Sequence, residues 1–548
     1  MTPLLGTMQD WPLLVSKIID HAAMYHPRRP VITNTVEGGI NVSDWATVHA
    51  RARRVAQALT AADIKSGDRI GTLAWNTHRH VELWYGVCGM GAVAHTLNPR
   101  LFPEQLIYIA NHAADRILCF DLSFIGLVEA IAPRLATVER FVCMTDRAHL
   151  PESSLPLIAY EDWIDAHDGN FAWAELDERA PAGLCYTSGT TGDPKGVEYT
   201  HRSNVLMTMA VMGSEALGGH RSVVMPIVPM FHANAWSVPY ATAALGQGLV
   251  LNGPAFDAPT LHRLIHDHGV TATAGVPTVW LGLLQHLDET GGDLGPLKTL
   301  LIGGAAAPPS MIAMFEDRYG IEVIHSWGMT EMSPVGVLGT GTVERDTLPL
   351  AERRAVQAKQ GRPPFGVEMK ILGADGCELP RDGVAFGQLF VRGPWIVQRY
   401  FRSEVDAVDA DGWFDTGDVA TIDGMGYMHI VDRSKDVIKS GGEWISSIEV
   451  ENIAVGCPGV AEAAVIGIRH PKWDERPLLI LVRKPGSGVT RDDVLGHLVD
   501  KIAKWWMPDD VVFVDTLPHT AAGKVHKVEL RKQFADYRLP TSATVRGA

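Results

Sequence analysis

Cysteine is scarce: Cys88, Cys119, Cys143, Cys185, Cys377 and Cys457 are the only six in 548 residues. None sits in a C-x-x-C pair or beside histidines at ligand spacing. That excludes a disulfide framework and a cysteine-based metal site, and fits small buried side chains in a reducing compartment. No apolar run reaches the ~20 residues needed to cross a bilayer, so no integral membrane segment is expected. A basic stretch followed by an apolar one is missing at the N-terminus, so no secretory leader is expected and the cytoplasm is the expected location. Positive charge is outnumbered, 48 Lys and Arg against 63 Asp and Glu, for a net charge of −15. A nucleic-acid footprint would be basic, so no nucleic-acid partner is expected. Internal repeats and low-complexity stretches are absent, as are a Walker Gly-Lys-Ser/Thr ending and a G-x-S-x-G nucleophile elbow.

What remains is a globular composition, 46% hydrophobic and 20% charged, with length for about three or four domain-sized units. Apolar positions at helical spacing run from Trp11 to Ala23, and Ser43 is placed as the N-cap of a helix through Leu59. A buried strand over Ile70–Trp75, a helix over Val81–Gly91, a strand at Val93–Ala94, a helix over Pro103–His112 and a strand at Ile117–Cys119 follow. Strand and helix in succession predict a helix-covered parallel sheet. In the turn after Trp75, His78 and Arg79 are expected at the surface. The alternation resumes with strands at Val223–Val228 and Leu300–Ile302. From about Pro363 it gives way to short strands, including Glu368–Leu372 and Gln388–Arg392, which read as a β-rich unit. The end of the chain reads as a compact α+β unit, with the charged stretch Asp432–Asp436 as the domain junction.

Six stretches carry chemistry. In Tyr186-Thr187-Ser188-Gly189-Thr190-Thr191-Gly192-Asp193-Pro194-Lys195-Gly196, glycines permit tight turns, hydroxyls donate and Lys195 adds charge. A polyphosphate needs that combination. His232 and Trp236 are spaced to share one face of a helix. Gly303-Gly304-Ala305-Ala306 follows a strand and lets a flat ring lie on bare backbone. In His325-Ser326-Trp327-Gly328-Met329-Thr330-Glu331, the Glu331 carboxylate suits Mg²⁺, Thr330 can donate to a phosphate, and Trp327 offers a stacking face. Asp418, after Thr416-Gly417, and the Lys439-Ser440-Gly441-Gly442-Glu443-Trp444 turn complete the set; alone, each reads as an ordinary turn.

Together these stretches resemble the adenylate-forming superfamily of acyl-CoA synthetases, luciferases and peptide-synthetase adenylation domains. The resemblance spans the chain and is strongest toward medium-chain fatty-acyl-CoA and methylmercaptopropionate-CoA ligases, through Trp75-Asn76, His95–Phe102, Trp444–Ser446 and Lys472–Leu478. It implies a large N-terminal adenylation domain over 1–431 and a small mobile C-terminal domain over 432–548, with the hinge at Asp432. By the resemblance, Thr187, Ser188, Gly189, Thr190, Thr191 and Lys195 hold the phosphates. Gly303, Ala305, Ala306, Ser326, Trp327, Gly328, Met329 and Thr330 surround the nucleotide. Asp418 and Arg433 take the ribose, and Glu331 with Thr187 binds Mg²⁺. His232 borders the reacting carboxylate. Trp236, Gly304, Ala305, Gly328 and Met332 line the acyl tunnel, which the tryptophan would shorten toward short or medium chains.

Lys439 to Trp444 would face the pantetheine of CoA. Lys524, in Leu517-Pro518-His519-Thr520-Ala521-Ala522-Gly523-Lys524, would bridge carboxylate and α-phosphate. That motif departs from the family at His519 and Ala522, and Trp327 stands where the family usually has tyrosine. The implied activity is ATP-dependent, AMP-forming ligation of a carboxylic acid to CoA through an acyl-adenylate, with ATP, Mg²⁺ and CoA as cofactors and a homodimer as the family's expectation. A carrier protein in place of CoA is the alternative acceptor; no carrier-attachment segment follows Lys524. A non-catalytic binder would have to keep Lys195, Glu331, Asp418, Arg433 and Lys524 unused.

Overall fold

A computed structural model describes residues 6–187, 193–441, 443–519 and 525–541. Four sheets organise them. The first has seven strands in the order Leu157–Ala159, Arg140–Cys143, Asp115–Phe120, Arg69–Leu73, Val93–Thr96, Pro181–Tyr186 and Gly196–Thr200. All neighbours are parallel except the last pair. The second has eight strands, running from Val335–Leu338 through Glu322–Gly328, Thr299–Ile302, Ala272–Gly275, Val223–Pro226, Gly248–Leu251 and Pro30–Asn34 to Ile40–Asp44. Its six inner strands are parallel and its two outer ones antiparallel.

Helix His78–Gly89 contacts strands of both sheets, and all twelve of its residues are buried. A helix covered on every side shows no amphipathic stripe, so its sequence marks its start poorly. It begins three residues before the expected Val81, where the Thr77 hydroxyl accepts from His80 N. His78 and Arg79, expected at the surface, are therefore interior. Arg79 donates to Glu161 and Glu37 at 2.6 Å each and to Met144 O at 2.8 Å. Those partners lie 82, 42 and 65 residues away in sequence. Helix Trp45–Ala61 is capped by Asp44, which accepts from Thr47 N at 2.8 Å, one residue beyond the expected Ser43.

The third sheet is the expected β-rich unit, four antiparallel strands Glu368–Leu372, Phe386–Arg392, Phe414–Ile422 and Met428–Arg433. Its inward residues Met369, Ile371, Leu389, Val391, Phe414, Ala420 and Ile422 join the same apolar core as the helices between the large sheets. The fourth sheet gathers Glu443–Ile445, Ile438–Ser440, Asp474–Arg483, Val460–His470 and Asp510–Val514. It buries its own two clusters, one around Val465, Leu479 and Leu481, the other around Ile466, Leu478 and Ile480. Among the described residues no helix is long and apolar enough to cross a membrane.

Candidate active site

In parallel sheets, ligands collect beyond the carboxyl ends of the strands. Four loops of the second sheet leave at that end: Pro229–His232 after Val223–Pro226, Val276 after Ala272–Gly275, Gly303–Ala306 after Thr299–Ile302, and Met329–Met332 after Glu322–Gly328. Burial changes along the last strand in the same sense. Val323 to His325 are buried, whereas Ser326, Trp327, Gly328 and Met329 are half-buried. Gly304 takes φ +79°, Ala305 is exposed and Ala306 half-buried. A side chain at Gly303 would meet Trp236 Cη2 at 3.1 Å, so the indole lies on bare backbone there.

His232 and Trp236 do not share a face of an α-helix. Ala233, Asn234, Ala235, Trp236 and Ser237 all take positive φ, from +43° to +55°. A left-handed turn of non-glycine residues costs about 1–2 kcal/mol per residue. Strain of that kind concentrates at functional sites. It lies beside the Gly303-Gly304 turn.

The first sheet contributes its antiparallel edge. Strands Pro181–Tyr186 and Gly196–Thr200 pair with Tyr186 opposite Gly196, and Thr187 N donates to Lys195 O at 2.9 Å. The connecting loop is thereby pinched shut at its base. Ser188, Gly189, Thr190 and Thr191 lie outside the described residues. Phe401 N donates to Gly196 O at 2.8 Å, seating the segment that follows the third sheet's second strand against the hairpin. Lys195 Nζ then stands 4.9 Å above the Tyr400 ring, and the Tyr400 hydroxyl donates to Glu331 Oε1 at 2.9 Å.

Glu331 is buried. Burial pushes its carboxyl up, and the Tyr400 hydroxyl partly offsets this. A buried carboxylate with one oxygen held by a neutral donor fits a hard divalent cation. Thr330 is buried beside it, its carbonyl accepting from the Tyr199 hydroxyl at 2.9 Å, and Met332 is fully buried.

The third sheet brings in Asp418. Its Oδ1 pairs with Arg433 Nε at 2.9 Å, across the register that sets residue 418 opposite residue 433. Its Oδ2 accepts from Trp327 Nε1 at 3.0 Å. Trp327 is held from the other side by Gly336, where a side chain would meet the ring at 2.6 Å. The strand 322–328, the hairpin 181–200 and the third sheet thus meet through Trp327, Asp418, Arg433, Glu331, Tyr400 and Lys195.

Asp432, one residue before Arg433, faces the other way. Its Oδ2 accepts from Ser447 N and Ser447 Oγ at 2.6 Å each, in the first turn of helix Ser447–Val455, whose N-cap is Ser446. Lys527 donates to Ser447 Oγ at 2.5 Å and pairs with Glu451 at 2.7 Å. The turn after Ile438 is bound within the C-terminal unit. Lys439 N donates to Glu475, Ser440 Oγ accepts from Arg476, and Gly441 N donates to Trp473 O. Gly441, at φ +62°, would meet Trp473 at 2.9 Å with any side chain. Gly442 and Lys524 lie outside the described residues. Glu443 and Trp444 form the returning strand of this hairpin.

Sequence reasoning missed Tyr400 and Tyr199. Gln398-Arg399-Tyr400-Phe401 forms no motif; a tyrosine amid polar residues was its one sign.

The AMP-binding enzyme model matches residues 19–401 and the AMP-binding enzyme C-terminal domain model matches residues 449–524. A 3-methylmercaptopropionyl-CoA ligase of Ruegeria pomeroyi is 51% identical over 97% of this chain and 99% of its own. A medium-chain-fatty-acid–CoA ligase of Ectopseudomonas oleovorans is 46% identical over 99% of this chain and 100% of its own. Among solved structures, ATP-bound MatB from Rhodopseudomonas palustris superposes with a TM-score of 0.80 at 26% identity, over 95% of this chain and 99% of its own. An anthranilate CoA ligase in complex with anthranoyl-AMP shares the fold, with a TM-score of 0.86 at 24% identity over 97% of this chain and 100% of its own. The chain belongs to the AMP-binding enzyme family.

Proposed function

We propose that this chain is an AMP-forming acid–CoA ligase that converts a short- or medium-chain carboxylic acid, a fatty acid or a thioether acid such as methylmercaptopropionate, to its CoA thioester. The observation that carries this reading is the meeting of Lys195, Tyr400, Glu331, Asp418, Arg433 and Trp327 beside a strand-end turn of bare backbone. The activities of these two CoA ligases support both the acceptor and the acid class.

In the first half-reaction a carboxylate oxygen attacks the α-phosphorus of ATP. The bond to the β-phosphate oxygen breaks, and pyrophosphate leaves. In the second, the CoA sulfur attacks the acyl carbon and AMP departs. No protein nucleophile takes part, so positioning and charge stabilisation do the catalysis. The ribose hydroxyls would bind Asp418, the adenine would lie on Trp327 and the Gly303–Ala306 backbone, and the phosphates would enter the pinched loop of Thr187 and Lys195. His232 would border the reacting carboxylate, and the acyl chain would run against Trp236, Gly304 and Met332. Mg²⁺, held by Glu331 and the Thr187 hydroxyl, would offset phosphate charge. Lys524 would bridge the two reacting anions and then give way, as the domain beyond Asp432 rotates, to Lys439–Trp444 for CoA.

AMP production is the test, measured with CoA against a panel of straight-chain, thioether and aromatic acids. Turnover on straight-chain or thioether acids supports the reading. Turnover restricted to aromatic acids, or to a carrier protein in place of CoA, overturns its substrate or acceptor half.

A further inference from the structure

Tyr400 touches two charged groups of the site that the chain supplies from different sheets. Lys195 follows the loop of the first sheet's hairpin, and Glu331 lies in the loop beyond the second sheet's strand Glu322–Gly328. Tyr400 comes from neither. Its ring lies under Lys195 Nζ at 4.9 Å, within cation–π range. Its hydroxyl donates to Glu331 Oε1 at 2.9 Å. The backbone holding it is tied down on both sides: Val397 N donates to Glu331 O at 2.8 Å, and Phe401 N donates to Gly196 O at 2.8 Å. The segment 397–401 therefore acts as a staple across the two loops, with Tyr400 at its centre.

The carboxylate geometry gives the staple a consequence. Glu331 is 7% exposed. A cation-binding carboxylate must be aimed. The Tyr400 hydroxyl fixes one oxygen, which leaves Oε2 to be directed at a divalent cation. Ligand carboxylates are commonly oriented by such a hydrogen bond, and its loss weakens metal affinity about 10- to 100-fold. The ring meanwhile holds the Lys195 ammonium at the mouth of the loop without forming an ion pair with Glu331, which would consume the charge both groups need for ligands.

We propose that Tyr400 is a positioning residue for the metal–nucleotide complex: it orients Glu331 toward the divalent cation and stations Lys195 beside it. The proposal rests on the reading of Glu331 as a metal ligand given above.

Calorimetric titration of ATP into the full chain, with Mg²⁺ and with a chelator, is the test, run on wild type, Y400F, E331Q and the double variant. Wild type is expected to bind ATP more tightly with Mg²⁺. Y400F is expected to lose about tenfold of that Mg²⁺-dependent affinity while its metal-free ATP affinity and melting temperature stay at the wild-type level. On the E331Q background, Y400F is expected to add nothing further, because its effect passes through Glu331. Equal loss with and without Mg²⁺, or the same loss on the E331Q background, overturns the proposal. A Y400F protein with the full wild-type Mg²⁺ effect overturns it as well. If wild type itself shows no Mg²⁺ effect, or E331Q keeps all of it, the metal role of Glu331 fails instead. Those results are distinct from a failure of Tyr400.

Discussion

The indole N–H of Trp327 donates to Oδ2 of Asp418 at 3.0 Å, while Arg433 holds the other oxygen at 2.9 Å. Asp418 is buried, so both partners matter to it. A tyrosine or phenylalanine at this position keeps a stacking face but lacks an N–H in that place. On the proposed function, Trp327 would join a stacking role to the carboxylate-orienting one seen here.

Substituting W327F separates the two roles. A hydrogen bond to a charged group contributes about 1.5–3 kcal/mol, so the KM for ATP is expected to rise by roughly tenfold or more. The kcat at saturating ATP should change far less, since the lost bond does not touch the reacting atoms. Steady-state kinetics against ATP, at fixed acid and CoA, reads both numbers.

Arg79 gives a stability prediction remote from the chemistry. R79A leaves Glu37 and Glu161 without their shared cation, and breaking a buried pair costs about 3–5 kcal/mol. Here that is an upper figure, since Glu161 keeps its bond to Arg51 at 2.8 Å. Burial acts to raise the Glu37 carboxyl, but the Thr145 hydroxyl and the Arg79 guanidinium together hold it below the usual carboxylate range. Its contribution is therefore present above about pH 4.3, the unfolded value, and is lost as pH falls through the lower folded one. Urea unfolding should show a large deficit for R79A at pH 7 that narrows at strongly acid pH.

Three interior histidines set the other acid limit. Burial pushes His80, His201 and His325 each down to about 4. His201 Nδ1 accepts from Val15 N at 3.2 Å, a bond that requires the neutral ring. The unfolded chain binds protons below about pH 6.5 while these folded histidines do not, so stability falls between about pH 6.5 and 4. At 1.36 kcal/mol per pKa unit, each contributes a loss of order 3 kcal/mol across that window. Replacing His201 with glutamine, which cannot titrate there, should flatten the fall measured by thermal melting across that range.

On the proposed function, the two half-reactions would divide at Lys524. K524A is expected to abolish adenylate formation while leaving thioester formation from supplied acyl-AMP and CoA near the wild-type rate. Equal loss in both steps would contradict a lysine that serves one step and then rotates away.

Much of the fold was legible because period and punctuation were local. The strand expected at Glu368–Leu372 is found over those residues, and the helix expected from Pro103 begins there. What escaped was set by partners distant in sequence. Arg79 looked like a surface residue because Glu37 and Glu161 are 42 and 82 residues away. The bond between Trp327 and Asp418 spans 91 residues and that between Tyr400 and Glu331 spans 69, so neither follows from a motif. The left-handed turn at 233–237 contains no glycine, the residue that would have announced positive φ. The phosphate stretch 188–192 and Lys524 rest on the motif alone.

Acid-dependent exchange of labelled pyrophosphate into ATP, run with Mg²⁺ and without CoA, tests the central claim most directly. Exchange should appear with at least one short- or medium-chain acid, vanish without acid and be lost in K524A. ATP left unlabelled with every acid in a broad panel would contradict activation of a carboxylate as its adenylate.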